Sequence, residues 1–266
     1  IDKKILLSWN CLYIKGMIKL YKITQREKYL ATIDKALDFI CQNMMEDDFI
    51  YSCFNSKACF PGYLDDYAMF ASSLMDYLTI KWNSKYFEIC NRLCFHLIND
   101  FEDKEKGGYY FTSNNHEKLF YRPKSIADDS VPSGLVYATD VLLQMGYLSG
   151  EQAFIDSAHK SISYISKSFA DNMTSNVSAI NLLKENNLER EIIIVRTNNK
   201  NWKEIIKEKS YYRKYIVFIN NDESNLPNSI ELKKPNNLFA AYVCKGMTCS
   251  NPILDQKEFI EFINDK

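Results

Sequence analysis

Apolar residues in the first 170 positions recur at intervals of three and four, which is the spacing of amphipathic helices. Short polar breaks divide this part of the chain into helical stretches that pair as hairpins. The apolar positions of the three predicted pairs fall within 5–20 and 33–44, 67–78 and 86–97, and 135–145 and 154–169. The unit repeats every ~65 to 70 residues, as is typical of stacked hairpins that share one core.

Between the second and third pairs the sequence changes to aromatic residues around an Asn-rich turn. Residues 107–112 and 118–122 flank the turn at 113–116, and Pro123 follows. Aromatic and β-branched residues on both sides of such a turn predict a β-hairpin at the rim of the helices.

After about residue 188 the apolar residues become continuous. Residues 191–195 and 214–219 predict buried strands on either side of a polar helix near Trp202–Lys209. A third strand is predicted at 239–243 and a last helix at 255–263. We therefore expect a mainly α fold, with helical hairpins over residues 1–188 and a small α/β segment over 189–266 packed on them.

The overall charge excludes several classes of partner. Lys and Arg total 33 and Asp and Glu total 34, so the formal net charge is -1. Such a chain lacks the positive field that nucleic acids or anionic membrane surfaces attract. No apolar run approaches the ~20 residues of a membrane-spanning helix, and no leader opens the chain. We expect a cytoplasmic protein, and because residue 1 is Ile, we expect the chain to begin inside a longer one.

The eight cysteines are scattered and are predicted to be mostly reduced thiols. Cys90 and Cys94 share a helical apolar stripe, which favours core packing over metal binding. For Cys244 and Cys249 a disulfide, a thiolate pair and no pairing are all open, and so is a redox role. No histidine or second cysteine pair lies nearby, so the sequence predicts no metal site. Neither a Gly-x-Gly-x-x-Gly motif nor a Walker phosphate loop occurs, and no cofactor is predicted.

Polar residues gather where the first, third and fifth helices begin. In antiparallel hairpins every second helix starts at the same rim, so these residues can converge on one mouth. Paired carboxylates are the minimum for glycosidic chemistry, because one serves as acid and the other as base or nucleophile. The candidate catalytic residues are Asp65, Asp66 and Asp128. The candidate ligand-binding residues are Trp9, Asn10, Tyr67, Arg122, Lys124, Asp129 and Ser133.

A structural interpretation of the same residues stays open. Asp65 or Asp66 can cap the third helix, and Asp129 or Ser133 can cap the fifth, because Asp and Ser are favoured at helix starts. Arg122 can be an ion-pair partner of either group.

The three histidines add little to the candidate site. His96 and His159 are predicted at the surface of their helices. His116 alone is expected near the mouth, in the turn of the predicted β-hairpin, where solvent contact is the commoner role.

Five ordered motifs carry a resemblance to a known family. They are Asp2–Asn10, Tyr63–Ala68, Gly107–Phe111 with Arg122–Lys124, Asp128–Gly134, and Ala241–Cys244 with Cys249. With these motifs the chain resembles the C-terminal part of the YyaL-like family, which includes a vertebrate protein named for spermatogenesis. This chain has Leu7, Cys11 and Leu135 where the family usually has Thr, Gly and Asn.

The resemblance implies an (α/α)6 toroid, similar to the barrels of N-acylglucosamine 2-epimerases and six-hairpin glycosidases. It also implies a sugar-sized pocket at the mouth, and upstream a thioredoxin-like domain and the missing N-terminal barrel hairpins. The function expected from it is a carbohydrate-active domain, either hydrolase-like or epimerase-like. The alternative is a non-catalytic binding or scaffold module that supports the thioredoxin-like domain.

Overall fold

A computed structural model describes residues 2–168, 173–187, 190–199, 214–236 and 238–264. The helices are α1 (Leu7–Thr24), α2 (Glu27–Asn43), α3 (Leu64–Leu78), α4 (Ser84–His96), α5 (Gly134–Ser149), α6 (Gln152–Ser168), α7 (Val177–Asn187), α8 (Asn228–Glu231) and α9 (Gln256–Asn264). The strands are β1 (Ile5–Leu6), β2 (Met45–Glu46), β3 (Phe49–Phe54), β4 (Ala58–Pro61), β5 (Glu191–Thr197), β6 (Lys214–Ile219), β7 (Phe239–Lys245) and β8 (Thr248–Cys249).

The helices form two layers, and the three predicted hairpins are confirmed. Helices α1, α3 and α5 pack side by side as an inner layer, and α2, α4 and α6 each cover the inner helix of their own pair. The inner helix α3 buries 13 of its 15 residues, whereas α2 buries three along a single stripe. A helix that is apolar nearly all round belongs at the centre of a fold. This arrangement is part of an (α/α)6 toroid, with α3 in the middle of the described layer.

The β-hairpin predicted over 107–122 is wrong, because that segment contains no strand pair in the structure. Gly107 and Gly108 have φ of 76° and 75°, a left-handed conformation that turns the chain away from an extended path. Tyr109 is then buried against Ser157 instead of alternating across a sheet. A β-hairpin does lie at the rim, but it is formed by β3 and β4, which precede α3. Strand β3 also pairs with β1 and with β2, and all of these pairings are antiparallel.

The C-terminal part forms a second sheet with the strand order β6-β5-β7-β8. Strands β5 and β6 are parallel, as predicted, and β7 runs antiparallel to β5. One sheet face packs on the helices and α9 covers the other. The helix predicted near Trp202–Lys209 lies outside the described residues. The division of the chain at residue 188 stays a prediction.

Cys244 and Cys249 are directly paired across β7 and β8 and form a disulfide, called the hairpin disulfide below. This selects one of the three states that the sequence left open. Cys90 and Cys94 are free thiols buried in the helical core, as expected.

A hydrogen bond links the second sheet to the centre of the helical layer. The hydroxyl of Tyr215 on β6 donates to the backbone carbonyl of Met75 on α3. Burial holds the pKa of Tyr215 well above its ordinary value, so this donor keeps its proton. Among the helices of the described ranges, none has the length and apolar composition needed to cross a bilayer.

Candidate functional site

Two adjacent carboxylates connect the starts of the three inner helices. Asp65 and Asp66 occupy the first turn of α3. The backbone N–H of Ser8, at the start of α1, donates to Asp66 Oδ1 at 3.2 Å. The backbone N–H of Gly134, the first residue of α5, faces the Asp65 carboxylate. The predicted convergence of helix starts at one rim therefore holds for α1, α3 and α5.

Asp66 has both of its carboxylate oxygens engaged. Oδ1 accepts from Ser8, and Oδ2 accepts from the backbone N–H of Tyr63 at 3.0 Å. Only 4% of the residue is exposed. Burial raises the pKa of Asp66, although the N–H groups of Tyr63 and Ser8 act in the opposite direction. This geometry fixes α1 against α3 and leaves Asp66 little capacity to contact a ligand.

Asp65 lies in a different environment, because it is half-buried at the open side of the same turn. Burial, followed by the charges of Asp66 and Asp129, raises its pKa to about 6, while the Gly134 N–H acts to lower it. A carboxyl group with this pKa exists in both protonation states near neutral pH. Asp65 can therefore deliver or accept a proton at this rim.

Gly134 is required for this contact. A Cβ atom at position 134 would lie 1.9 Å from Asp65 Oδ1 and 2.9 Å from Asp65 Cα. Any side chain there would displace the carboxylate or separate α3 from α5.

Asp128 and Ser133 form a capping network before α5. The backbone N–H of Ser133 donates to Asp128 Oδ1 at 3.0 Å, and the backbone N–H of Ser178 donates to Asp128 Oδ2 at 2.8 Å. The Ser178 hydroxyl also donates to Asp128. Ser133 Oγ accepts from Val136 N at 3.5 Å and donates to the Ser125 carbonyl at 2.9 Å. Asp128 thus joins the start of α7 to the segment that carries Asp129 toward Asp65.

Arg122 and Lys124 bind the loop that precedes them. The Arg122 guanidinium donates to the Thr112 carbonyl and to Asn114 Oδ1, and it stacks 4.3 Å from the centre of the Tyr110 ring. Lys124 Nζ donates to Asp103 Oδ2 at 2.6 Å. Burial opposes ionisation of Asp103, but the Lys124 ammonium and nearby donors hold its pKa well below the ordinary value. The structure thus engages both predicted ligand-binding cations in holding the loop at 100–114.

The remaining predicted residues lie around α1 and α3. Trp9 is 58% exposed beside Ser8. The Asn10 side-chain amide donates to the Leu6 carbonyl at 2.7 Å. Tyr67 is buried, its hydroxyl accepts from the Ile50 backbone N–H at 3.3 Å, and burial raises its pKa to about 12.

Nothing in the sequence indicated a small cavity beside the start of α3. This cavity, called the hairpin cavity below, has a volume of about 150 Å³ and lies between the β3–β4 hairpin, α3 and the loop at 113–116. Tyr67, Asp100, Asn115 and His116 are among the residues that line it. His116 had been expected near the mouth, and its ring indeed packs 4.9 Å from that of Tyr63, the residue before α3.

His96 had been predicted at the surface, and that prediction is wrong. Its side chain is 19% exposed, and Nδ1 lies 2.6 Å from Asp100 Oδ2. The ring packs against Phe49 and Tyr67, with ring centres 5.6 Å apart in both pairs. The strand that carries Phe49 was missed in the sequence, so the partner that covers His96 was missed with it. His159 is exposed, as predicted. The described ranges contain no cluster of side chains arranged to hold a metal ion.

Comparison with known proteins identifies a family for most of the chain. Residues 5–176 match the family model described as Glycosyl Hydrolase Family 88. The match runs from β1 to the start of α7 and includes all ten residues predicted for the site.

Three individual proteins illustrate the range of similarity. Human spermatogenesis-associated protein 20 is 22% identical over 287 aligned residues, which cover 99% of this chain and 36% of that protein. A family 76 α-mannanase from Bacteroides thetaiotaomicron superposes with a TM-score of 0.54 at 13% identity, over 68% of this chain and 52% of that one. Cellobiose 2-epimerase from Bacillus thermoamylovorans gives 0.53 at 12% identity, over 65% and 47%. The chain thus spans about a third of its human relative, and the two structures share its (α/α)6 architecture.

Proposed function

This chain belongs to glycosyl hydrolase family 88, and we propose that it is a carbohydrate-active domain that binds and transforms a sugar at the rim where α1, α3 and α5 begin. The observation that carries the proposal is Asp65. It is half-buried, faces the Gly134 N–H, and has a pKa of about 6. A carboxyl group with a raised pKa, which is still partly protonated near neutral pH, is the kind of group that glycosidic chemistry needs as a general acid.

The neighbouring residues have separate tasks in this proposal. Asp65 donates the proton to the departing glycosidic oxygen. Asp66 is a positioning residue, because both of its oxygens are engaged by backbone N–H groups and its charge raises the pKa of Asp65. Asp129 is the second carboxylate, which either activates the attacking water or attacks the anomeric carbon as the bond to the departing oxygen breaks, and its charge also reaches Asp65. Asp128 positions the segment that carries Asp129, and the exposed ring of Trp9 offers an apolar face for a sugar ring.

Turnover of a panel of aryl glycosides and reducing disaccharides tests the proposal. We expect Asp65→Asn to lose about 10²-fold to 10⁴-fold in kcat/KM while keeping its circular dichroism spectrum, since that is the usual contribution of a general acid. The wild-type pH profile should show an ionisation near pH 6 that the variant lacks. An Asp65→Asn protein with wild-type activity would contradict this assignment.

The products distinguish two forms of the reaction. A hydrolase releases a new reducing end, whereas an epimerase converts a sugar into an isomer of the same mass. Proton NMR of the reaction mixture separates the two outcomes. The family membership favours hydrolysis. Epimerisation is the alternative, because cellobiose 2-epimerase has a similar fold.

A second candidate is a non-catalytic binding or scaffold module that supports a thioredoxin-like domain. The observation that favours it is the engagement of Asp66, Asp128 and Ser133 in helix starts, as ordinary caps would be. In that case no sugar is turned over, and the same substitution changes only stability. Sugar binding without turnover in the wild-type protein would favour this candidate.

A further inference from the structure

Two of the free cysteines face each other across the β3–β4 hairpin. Cys53 on β3 and Cys59 on β4 are directly opposite in the antiparallel pairing. Directly opposite residues of such a pair have Cα atoms about 4.5–5.5 Å apart, which lies inside the roughly 4.4–6.8 Å range that a disulfide spans. The backbone of the hairpin therefore holds the two residues at a separation that one disulfide bond can bridge.

The two thiol groups are also in contact. The Cys59 thiol donates to the Cys53 backbone carbonyl at 3.4 Å, and the Cys53 thiol forms a hydrogen bond with the Cys59 thiol. Burial, followed by this contact with Cys59, raises the pKa of Cys53, so Cys53 rests as a thiol. The hairpin disulfide joins Cys244 and Cys249 in the same cross-strand register on β7 and β8. The chain thus contains a bonded example of the arrangement in which Cys53 and Cys59 are held.

The two cysteines differ in their access to solvent. Cys53 is 3% exposed, whereas Cys59 is half-buried on β4. A reagent in solution therefore reaches Cys59 first. Cys90 and Cys94 are also in contact with each other, but both are fully buried in the helical core, so the same reagent does not reach them.

We propose that Cys53 and Cys59 are a site of reversible oxidation, where a low-molecular-weight disulfide converts the two thiols into a disulfide bond. The Cys59 thiol loses its proton, and its sulfur attacks one sulfur of the small disulfide. The bond between the two sulfurs of the reagent breaks, and the first small thiolate leaves and takes up the proton. Cys53 then loses its proton and attacks the Cys59 sulfur, which releases the second small thiol. The protein pair loses two electrons, and the small disulfide gains them as it becomes two thiols.

The surroundings favour a disulfide over a metal site. Structural zinc sites use four ligands, and within the described ranges no third metal-ligating side chain joins these two sulfurs. Neither cysteine lines the hairpin cavity. Strand β3 pairs with β1, which leads into α1, and β4 precedes α3. The bond would therefore fasten together the segments that enter both helices, and its formation does not depend on the proposed function at the rim.

Peptide mapping of the native protein tests the proposal. The protein is incubated with oxidised glutathione, its remaining thiols are alkylated, and it is then denatured and digested with trypsin. Trypsin cleaves after Lys57, which lies between the two cysteines, so the bond would join peptide 36–57 to peptide 58–81. We expect this cross-linked product to exceed the glutathione adduct at Cys59 by at least about tenfold, because Cys53 is already held beside the reacting sulfur. Dithiothreitol should separate the two peptides.

Two variants identify the residues that form the bond. Peptide 36–57 also contains Cys41, which is half-buried like Cys59, so Cys41→Ser is the matched control and should cross-link as the wild type does. Cys59→Ser should give no cross-link and should leave Cys53 as a free thiol.

Four results would overturn the proposal. They are the absence of the cross-link in the oxidised wild-type protein, a predominant glutathione adduct at Cys59, loss of the cross-link in Cys41→Ser, and a glutathione adduct on Cys53 in Cys59→Ser. The first two are read from the wild-type protein, so they decide the matter even if a variant fails to fold.

Discussion

Replacing Asp65 with Asn should make the folded chain more stable at neutral pH, and the effect should disappear in acid. The folded-state pKa is raised to about 6 from an ordinary value of 3.8. The folded chain therefore holds the Asp65 proton more tightly than the unfolded chain does. Below pH 3.8 the group costs nothing, between pH 3.8 and 6 its ionisation becomes progressively unfavourable, and above pH 6 the full penalty is present.

The size of this penalty follows from the pKa. A rise from 3.8 to about 6 corresponds to up to roughly 3 kcal/mol, since each tenfold change in proton affinity is worth about 1.36 kcal/mol. The Asn amide oxygen can still accept from the Gly134 N–H, so the substitution removes the charge and keeps that contact. We expect Asp65→Asn to gain about 1 to 3 kcal/mol in free energy of unfolding at pH 7 and to match the wild type near pH 4.

Urea unfolding followed by circular dichroism at pH 4, 5, 6 and 7 measures this difference. Asp222→Asn, in an exposed turn after β6, is the control and should leave the free energy of unfolding nearly unchanged at each pH. A gain that is the same at pH 4 and pH 7, or a wild type that is the more stable protein at pH 7, would refute the reasoning. If the gain coincides with lost turnover, Asp65 is a residue kept for activity at the expense of stability.

Three further results are expected. Lys124→Met should lower the free energy of unfolding at pH 7 by about 3 to 5 kcal/mol, because it leaves the Asp103 carboxylate buried without its cation. Urea unfolding measures this difference between variant and wild type, which should shrink below pH 4 as Asp103 loses its charge in the unfolded chain. Gly134→Ala should reduce both turnover and stability, because its Cβ would collide with Asp65. Gly16→Ala is the control, since a Cβ there meets nothing within 4 Å, and it should be neutral or stabilising by about 0.5 to 1 kcal/mol in the same assays. Equal behaviour of the two variants would contradict the Gly134 contact. Thiol titration of the unreduced, denatured protein should give six free thiols and eight after reduction, and eight before reduction would exclude the hairpin disulfide.

Helix periodicity predicted most of the helical layer, because burial of one apolar face leaves a direct trace in the sequence. The hairpins of α1–α2, α3–α4 and α5–α6 all lie where the spacing of apolar residues placed them. The strands at the rim were harder to predict from the sequence. The aromatic residues at 109–111 resemble a strand, yet two left-handed glycines precede them and Tyr109 packs against Ser157 of α6.

The candidate site was predictable as a location and less so in its details. A sequence shows that Asp65 and Asp66 are adjacent, but not that one lies open and the other accepts two backbone N–H groups. That difference arises because α1 places Ser8 against Asp66 while α5 places Gly134 against Asp65. Contacts between helices far apart in the chain leave no periodic signal, so the different environments of the two carboxylates became visible only in three dimensions.

The bond from Tyr215 to Met75 has a practical consequence for anyone who wishes to shorten this chain. The carbonyl that it satisfies belongs to the most buried helix, and the phenol that satisfies it comes from 140 residues later. Truncating the chain after α7 would leave the Met75 carbonyl oxygen without its donor and would expose to solvent the surface of α3 against which the second sheet packs. The helical half is therefore best expressed together with its C-terminal sheet, even in work concerned with the proposed sugar site alone.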